Sequence, residues 1–341
     1  MKRIMVTCIG EPRESLTVHE VSDLKPKSGE VLVEMMAIPI HPADLLVMRG
    51  RHVFKPSYPI GTGIEGLGRV IAHGEGVTEP PIGQKVALPF GGTWAEQVLI
   101  PASSVIPIPS EMDLFQGAML ALNPVTALGL LMGMKSGEWL LHNAANSSLA
   151  QLITRVAAYK GIRSISVVRR EGMEATLKAN GADHVLVDGE DLAQRVKDLL
   201  GGRGVDRALD AVAGTASGRL FDSVADFGTL ICYGLLDRDD VIFNAAQFIF
   251  RDVHVQGYSR LRYLRGLSKA DTEALYKDLF ECQQQGLFHT PVLKTFAFED
   301  ICEAVELAER SGGQGKVFLI PDAFQSTLMS DADSSMTLTS P

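Results

Sequence analysis

Trp139-Leu140-Leu141-His142-Asn143-Ala144-Ala145-Asn146-Ser147-Ser148-Leu149-Ala150 is the stretch on which the fold turns. Its first residues form a short apolar run of the kind a buried strand needs. Small polar residues follow, and then Leu149, Leu152, Ile153, Val156 and Ala157 recur at the spacing that places them on one helical face. Gly161 stops that helix, and residues 164–168 supply a second strand. Strand, turn, helix and strand in this order describe a βαβ unit with parallel strands. Further strands are expected at 185–187, 207–210, 229–232 and 254–256, so residues 123–260 read as a Rossmann-type, doubly wound parallel sheet.

Such a unit binds a dinucleotide where the helix begins, because free backbone N–H groups and the helix dipole favour the pyrophosphate. Glycine is the usual residue for close backbone approach, yet the turn from Asn143 to Ser148 contains none. Its residues are small instead. Asn143, Asn146, Ser147 and Ser148 can donate to phosphate, and a serine there can also cap the helix. The second strand ends on Arg169 and Arg170, about 20 residues after the turn. An acidic residue there would accept from the ribose hydroxyl of NAD, whereas arginine suits the 2′-phosphate of NADPH. A solvated strand end is the plainer explanation of the same arginines.

The chain has 341 residues, 46% apolar and 21% charged, enough for two domains around separate cores. Upstream of Asn123, short β-prone runs are punctuated by Gly and Pro, notably between Gly61 and Gly68, which predicts an antiparallel, partly barrel-like β domain. From about Leu261 the pattern turns helical and ends in a strand at 316–320, expected to rejoin the first domain. The predicted division is therefore 1–122 with 261–321 as one domain and 123–260 as the other. The Ser/Thr/Asp-rich segment 322–341 reads as a disordered tail.

A net charge of −9 without a dense Lys/Arg run argues against nucleic acid as a partner. No apolar stretch is long enough to span a bilayer, and Met1 leads directly into a strand-like run rather than a leader peptide. Four scattered cysteines, Cys8, Cys232, Cys282 and Cys302, suit a reducing compartment. A cytoplasmic enzyme is the expectation.

Beyond the turn, an ordered set of motifs resembles a known family. The turn is similar to the Asn-Ala-Ser-Asn-Ser-Gly-Val-Gly turn of the mitochondrial-type 2-enoyl thioester reductases, in the quinone oxidoreductase-like branch of the medium-chain dehydrogenase/reductase superfamily. His41-Pro42-Ala43-Asp44 resembles that family's Asn-Pro-Ser-Asp, and Gly63-Ile64-Glu65-Gly66 its Gly-Asn-Glu-Gly. Gly92-Thr93-Trp94, Asn123-Pro124-Val125-Thr126-Ala127, Val167-Val168-Arg169, Gly181-Ala182-Asp183-His184 and Gly315-Lys316-Val317 continue the likeness. The resemblance covers residues 1 to about 321. It implies a GroES-like, β-rich catalytic domain, a Rossmann NADPH-binding domain, a cleft between them and a homodimer. Ser148 and Ala150 stand where relatives keep glycine.

Zinc-dependent relatives have a cysteine near the position of His41 and a histidine where this chain has Ile64. With neither ligand present no metal site is expected, since a catalytic zinc takes three protein ligands. The enoyl reductases carry a tyrosine in a Gly-x-Tyr-x-x-x-Pro segment. Here Gly50-Arg51-His52-Val53-Phe54-Lys55-Pro56 puts His52 in its place. Histidine can donate a proton near neutral pH; alternatively His52 lines the cleft while water supplies the proton. The resemblance further implies catalytic-site roles for Asn123 and Thr126, although a turn and helix start would also favour them; Lys316 suits either a cofactor phosphate or a solvated surface. The resemblance places His41, Tyr58, Trp94, Tyr258 and Arg260 at the substrate, although Tyr58, directly before Pro59, also suits a loop anchor. Arg260 and Arg262 suit an anionic acceptor such as a CoA or carrier-protein thioester.

Three functions stay open. The first is NADPH-dependent reduction of a 2-enoyl thioester. The second is reduction of a quinone or enone on the same scaffold. The third is a cofactor-binding protein with little turnover.

Overall fold

The computed structural model describes residues 1–51, 55–237, 240–311 and 314–324. Eight strands come first: β1 (Lys2–Val6), β2 (Leu16–Glu20), β3 (Glu30–Pro39), β4 (Ile60–Gly61), β5 (Gly66–His73), β6 (Lys85–Leu88), β7 (Gln97–Pro101) and β8 (Ile106–Pro107). Six more alternate with helices: β9 (Trp139–His142), β10 (Arg163–Val168), β11 (His184–Val187), β12 (Val205–Asp210), β13 (Val224–Cys232) and β14 (His254–Gly257). The last two are β15 (Val292–Phe296) and β16 (Lys316–Leu319).

Helices up to the second strand group are α1 (Pro12–Ser15), α2 (Pro42–Met48), α3 (Leu114–Ala118) and α4 (Asn123–Leu131). Between its strands lie α5 (Ser148–Tyr159), α6 (Glu174–Ala179), α7 (Leu192–Leu199), α8 (Thr215–Ser223) and α9 (Ala245–Arg251). After them come α10 (Arg260–Gly266), α11 (Lys269–Gln284) and α12 (Ile301–Arg310). None of the described helices is long and apolar enough to cross a membrane.

The chain forms two compact units, Met1–Leu122 with the chain from Thr290 onward, and Asn123–His289. In the first unit β3 is the organising strand. It pairs antiparallel with β5, β7 and β16, and its alternate side chains Val31, Val33 and Met35 enter a core shared with Val70, Val86, Val98 and Ile100. A separate sheet, β2-β1-β4, completes that unit's strands among the described residues.

In the second unit six parallel strands run in the order β11-β10-β9-β12-β13-β14. Numbered from β9, this is 3-2-1-4-5-6, the doubly wound arrangement whose strand order reverses between the first and fourth strands. Helix α5 buries Leu152, Ile153, Val156 and Ala157, with Leu149 half-buried. It ends because Gly161 takes a left-handed φ of 72°, letting the amides of Gly161 and Ile162 close on the carbonyls of Ala158 and Ala157.

The structure corrects the predicted boundary at 260. Helices α10 and α11 pack against α4, and α11 is tied to the end of α5 by Lys160–Asp278 at 2.7 Å and Tyr159–Glu281 at 2.8 Å. Residues 261–289 therefore belong to the second unit. Residues 322–324, expected at the start of a disordered tail, are held in place. Asp322 pairs with Lys2, and the guanidinium of Arg69 lies 5.9 Å from the Phe324 ring centre. Residues 325–341 lie outside the described residues.

His142, in the middle of the parallel sheet, is fully buried. The Thr154 hydroxyl donates to the Ala150 carbonyl at 3.0 Å, and its oxygen also lies 3.1 Å from His142 Nε2. Ser166 Oγ lies 3.0 Å from the same nitrogen, and Nδ1 has no partner among the described residues. Burial pushes the imidazole pKa down to about 4. The unfolded chain binds this proton at its ordinary value of about 6.5, so stability falls as pH drops from about 6.5 towards 4. The stability of the parent protein minus that of His142→Asn, from urea unfolding followed between pH 7.5 and 5, is expected to fall as pH drops, because the titration of other buried groups such as Asp44 cancels in the difference.

Candidate active site

The candidate cofactor residues lie at the carboxyl edge of the parallel sheet. Ser147 caps α5, its hydroxyl accepting from the Ala150 amide at 3.3 Å, and Ser148 opens the helix. Asn146 is half-buried, and its carbonyl accepts from Gln151 Nε2 at 3.0 Å. The turn holds Ala144 at a φ of 49°, a left-handed conformation costing a non-glycine residue about 1–2 kcal/mol. Two backbone bonds shape it, Ala145 N to Val167 O at 3.1 Å and Ser147 N to Ala144 O at 2.8 Å.

Asn143 does not face outward. Its Nδ2 donates to Asp210 Oδ1 at 2.6 Å, and its Oδ1 accepts from Ala211 N at 2.8 Å. Asp210 also accepts from the amides of Val212 and Ala213, at 2.9 and 3.1 Å, and from the Ser217 hydroxyl. Because β9 and β12 are neighbours, this pair bridges the point where the strand order reverses.

Ser166 is in register with His142, so the arginines after Val168 emerge beside the turn. Arg169 and Arg170 are exposed and carry no hydrogen bond or ion pair among the described residues. Two unneutralised guanidiniums at this edge are suited to a phosphate.

Asn123 and Thr126 lie three residues apart near the start of α4, on one helical face; Thr126 is buried. Gly129 continues that face, and a Cβ there would lie 2.3 Å from the Tyr258 hydroxyl, so glycine is needed for Tyr258 to pack. The phenol oxygen has no partner among the described residues, and burial raises its pKa. Arg260 begins α10, two residues further on.

In the first unit His41 caps α2. Its Nε2 lies 2.7 Å from Glu65 Oε2 and its Nδ1 3.0 Å from Lys316 Nζ, and all three side chains are buried. An ammonium can only donate, so Lys316 donates a hydrogen bond to Nδ1 and the Nε2–H points at the Glu65 carboxylate. Lys316 also donates to the Ile40 carbonyl at 3.2 Å, and burial lowers its pKa to about 8 despite the nearby carboxylates. Glu65 additionally accepts from the Leu122 amide. Asp44 accepts from the His41 amide at 2.8 Å, and burial pushes its carboxyl up to about 7, opposed by that bond and by Lys316.

Several sequence-derived roles change. Lys316, expected at a cofactor phosphate, has its ammonium inside this cluster and is only 7% exposed. Trp94, expected in the substrate pocket, is a core residue at 1% exposure. Tyr58 donates its hydroxyl to the Val47 carbonyl at 2.9 Å and packs on the same core, the anchoring role open to it from the start. His52 lies outside the described residues.

Asp44, Asp210 and Ser217 were not singled out from the sequence. For Asp210 the available signal was an acidic residue closing a strand before Ala211-Val212-Ala213-Gly214. Among the described residues no group of three His, Cys, Asp or Glu side chains could hold a metal ion.

Residues 27–110 match the family model of the alcohol dehydrogenase GroES-like domain, and residues 149–276 that of the zinc-binding dehydrogenases. Those matches define a two-module dehydrogenase, a GroES-like part joined to a Rossmann-type part. The chain is 30% identical over 308 residues to the mitochondrial enoyl-[acyl-carrier-protein] reductase of Caenorhabditis elegans, covering 87% of this chain and 88% of that relative. Among solved structures, a Pseudomonas syringae quinone oxidoreductase is 26% identical with a TM-score of 0.84, over 94% of this chain and 99% of its own. A mycobacterial protein complexed with NADPH is 27% identical with a TM-score of 0.85, over 94% and 100%. The chain belongs to the medium-chain dehydrogenase/reductase superfamily, in its quinone oxidoreductase-like branch, and is an oxidoreductase.

Removing one of two opposite buried charges leaves the other uncompensated, whereas neutralising both does not. Lys316→Met is expected to lower stability by about 3 kcal/mol. Adding Glu65→Gln, which keeps an acceptor for the Leu122 amide, should recover most of the loss. Urea midpoints of the two variants and the parent check this.

Proposed function

We propose that this chain reduces the activated carbon–carbon double bond of a 2-enoyl thioester with NADPH. The observation carrying the cofactor choice is the unpaired Arg169–Arg170 pair beside the turn that opens α5. The capped N-terminus of α5, with Asn146, Ser147 and Ser148, suits the pyrophosphate, and the two arginines suit the 2′-phosphate. When bound there, the cofactor supplies a hydride, which this chemistry delivers to the β-carbon.

The chain's own residues then hold the acceptor and stabilise charge developing at the carbonyl oxygen. Asn123 and Thr126 are assigned to that task from the common face of α4. Tyr258 and Arg260 are assigned to the acyl and phosphate-bearing parts of the thioester, which would be linked to CoA or a carrier protein. His52 is assigned as proton donor, in place of the family's tyrosine. Likeness to an enoyl-[acyl-carrier-protein] reductase supports the thioester, and likeness to a quinone oxidoreductase supports a second reading in which a quinone is the acceptor.

The chain would act as a homodimer. Strand β14 ends the parallel sheet, and Ile249 and Phe250 of the adjacent α9 are 67% and 85% exposed. An open edge flanked by apolar side chains is suited to pairing with a second copy. Four free cysteines fit a cytoplasmic setting.

Loss of NADPH absorbance with a short trans-2-enoyl-CoA tests the reaction. Rapid oxidation confined to thioesters, falling sharply in His52→Ala, is the expected result. Consumption of quinones alone would transfer the assignment to the second reading, and no oxidation with either would remove the reductase assignment. Replacing Arg169 and Arg170 together by alanine is expected to raise KM for NADPH by about 10- to 100-fold, the loss of one or more charged hydrogen bonds. KM for NADH should hardly move; equal rises for both nucleotides would contradict the 2′-phosphate role.

A further inference from the structure

We propose that Asn143 and Asp210 form a clamp across the reversal point of the parallel sheet, holding a glycine-free turn in the shape a dinucleotide requires. Asp210 is then a positioning residue for cofactor binding, an inference that rests on the dinucleotide reading above and deepens it.

The two loops that border this point share an unusual feature. Ala144, after β9, has a φ of 49°, and Ala213, after β12, has a φ of 69°. Glycine would take both conformations without steric cost; alanine takes them only where the surroundings over-determine the backbone. Here both loops are bound to the same buried pair. Asn143 immediately precedes Ala144 and is fixed at both ends of its amide, to Asp210 Oδ1 at 2.6 Å and to the Ala211 amide at 2.8 Å. Asp210 Oδ1 accepts from the Ala213 amide itself, at 3.1 Å, and from Val212 at 2.9 Å. Its other oxygen accepts from Ser217 on α8.

Every hydrogen-bond partner of the Asp210 side chain among the described residues is a donor, which suits the acceptor-only oxygens of a carboxylate. One buried anion thereby fixes the loop leaving the first strand and the loop leaving the fourth. In doubly wound sheets the ligand crevice opens between these two loops. A turn of glycines would have to be ordered when the nucleotide arrives, lowering affinity. The clamp orders this turn during folding, so alanine at 144 can hold the left-handed backbone that the turn needs.

The test measures NADPH and NADH binding by nucleotide fluorescence, with amide hydrogen exchange of residues 145–148 in the nucleotide-free protein. Asn143→Ala is expected to weaken NADPH binding at least tenfold and to speed exchange at the turn. Adding Ala144→Gly should restore a substantial part of the affinity, because glycine adopts the left-handed conformation unaided. A residue of purely structural importance would not be rescued in this way.

Unchanged affinity in Asn143→Ala would overturn the proposal. So would weakened affinity that Ala144→Gly does not rescue, since Asn143 would then be touching the nucleotide directly. If Asn143→Ala does not fold, Ser217→Ala loosens Asp210 from the opposite side, and a rise in Kd of about threefold with faster exchange at 145–148 is expected; no change in either would count against the clamp. A parent protein that binds neither nucleotide would overturn the dinucleotide reading, while exchange in the variants would still decide whether the clamp orders the turn.

Discussion

A carboxylate taken out of water must have its oxygens engaged by donors, and this constraint organises both units. In the first unit the carboxylate is Glu65, which gathers the His41 imidazole, the Leu122 amide and, through the imidazole, the Lys316 ammonium. In the second it is Asp210, which gathers the loops after two neighbouring strands and the first half of α8. Neither set tolerates a rearrangement of one member alone, because any freed donor or acceptor would be stranded in a low-dielectric interior. The polar centres are thus as constraining as the apolar cores around them.

Local periodicity made much of the second unit legible. The run 139–143, the helical face from Leu149 to Ala157 and the strand ending at Val168 each state their own conformation, because the two strands are buried on both faces and the helix on one within the unit's own interior. The boundary near 260 was less legible. Helices α10 and α11 carry a pattern that says an apolar face must be covered but not which unit covers it. Trp94, Tyr58 and Lys316 failed for a related reason: their types suit a pocket as well as a core, and burial is settled by strands distant in sequence. The Asn143–Asp210 bond joins residues 67 positions apart, and no local pattern records the register between β9 and β12.

The electrostatics operate on two length scales. The net charge of −9 would oppose a phosphorylated nucleotide at long range, but salt screens such a field over roughly 8 Å at physiological ionic strength. Close to the sheet edge the unpaired Arg169 and Arg170 and the N-terminus of α5 set the local field instead. Fold alone leaves the acceptor undetermined, since the same scaffold serves several chemistries. In the proposed function that choice is assigned to Asn123 and Thr126 on α4 and to Tyr258 and Arg260 after β14.

The antiparallel pairing of Phe318 with Pro39 has a consequence for how the protein is made. The second unit is inserted between two parts of the first, so β3 must await a partner strand synthesised roughly 280 residues later. At translation speeds of about 5–20 residues per second, that interval is tens of seconds. During it Glu65 and His41 have been made but Lys316 has not, whereas all six strands of the parallel sheet emerge before β16. The nascent chain can therefore complete its inserted half first, and the late arrival of Lys316 is the event that neutralises the half begun earliest.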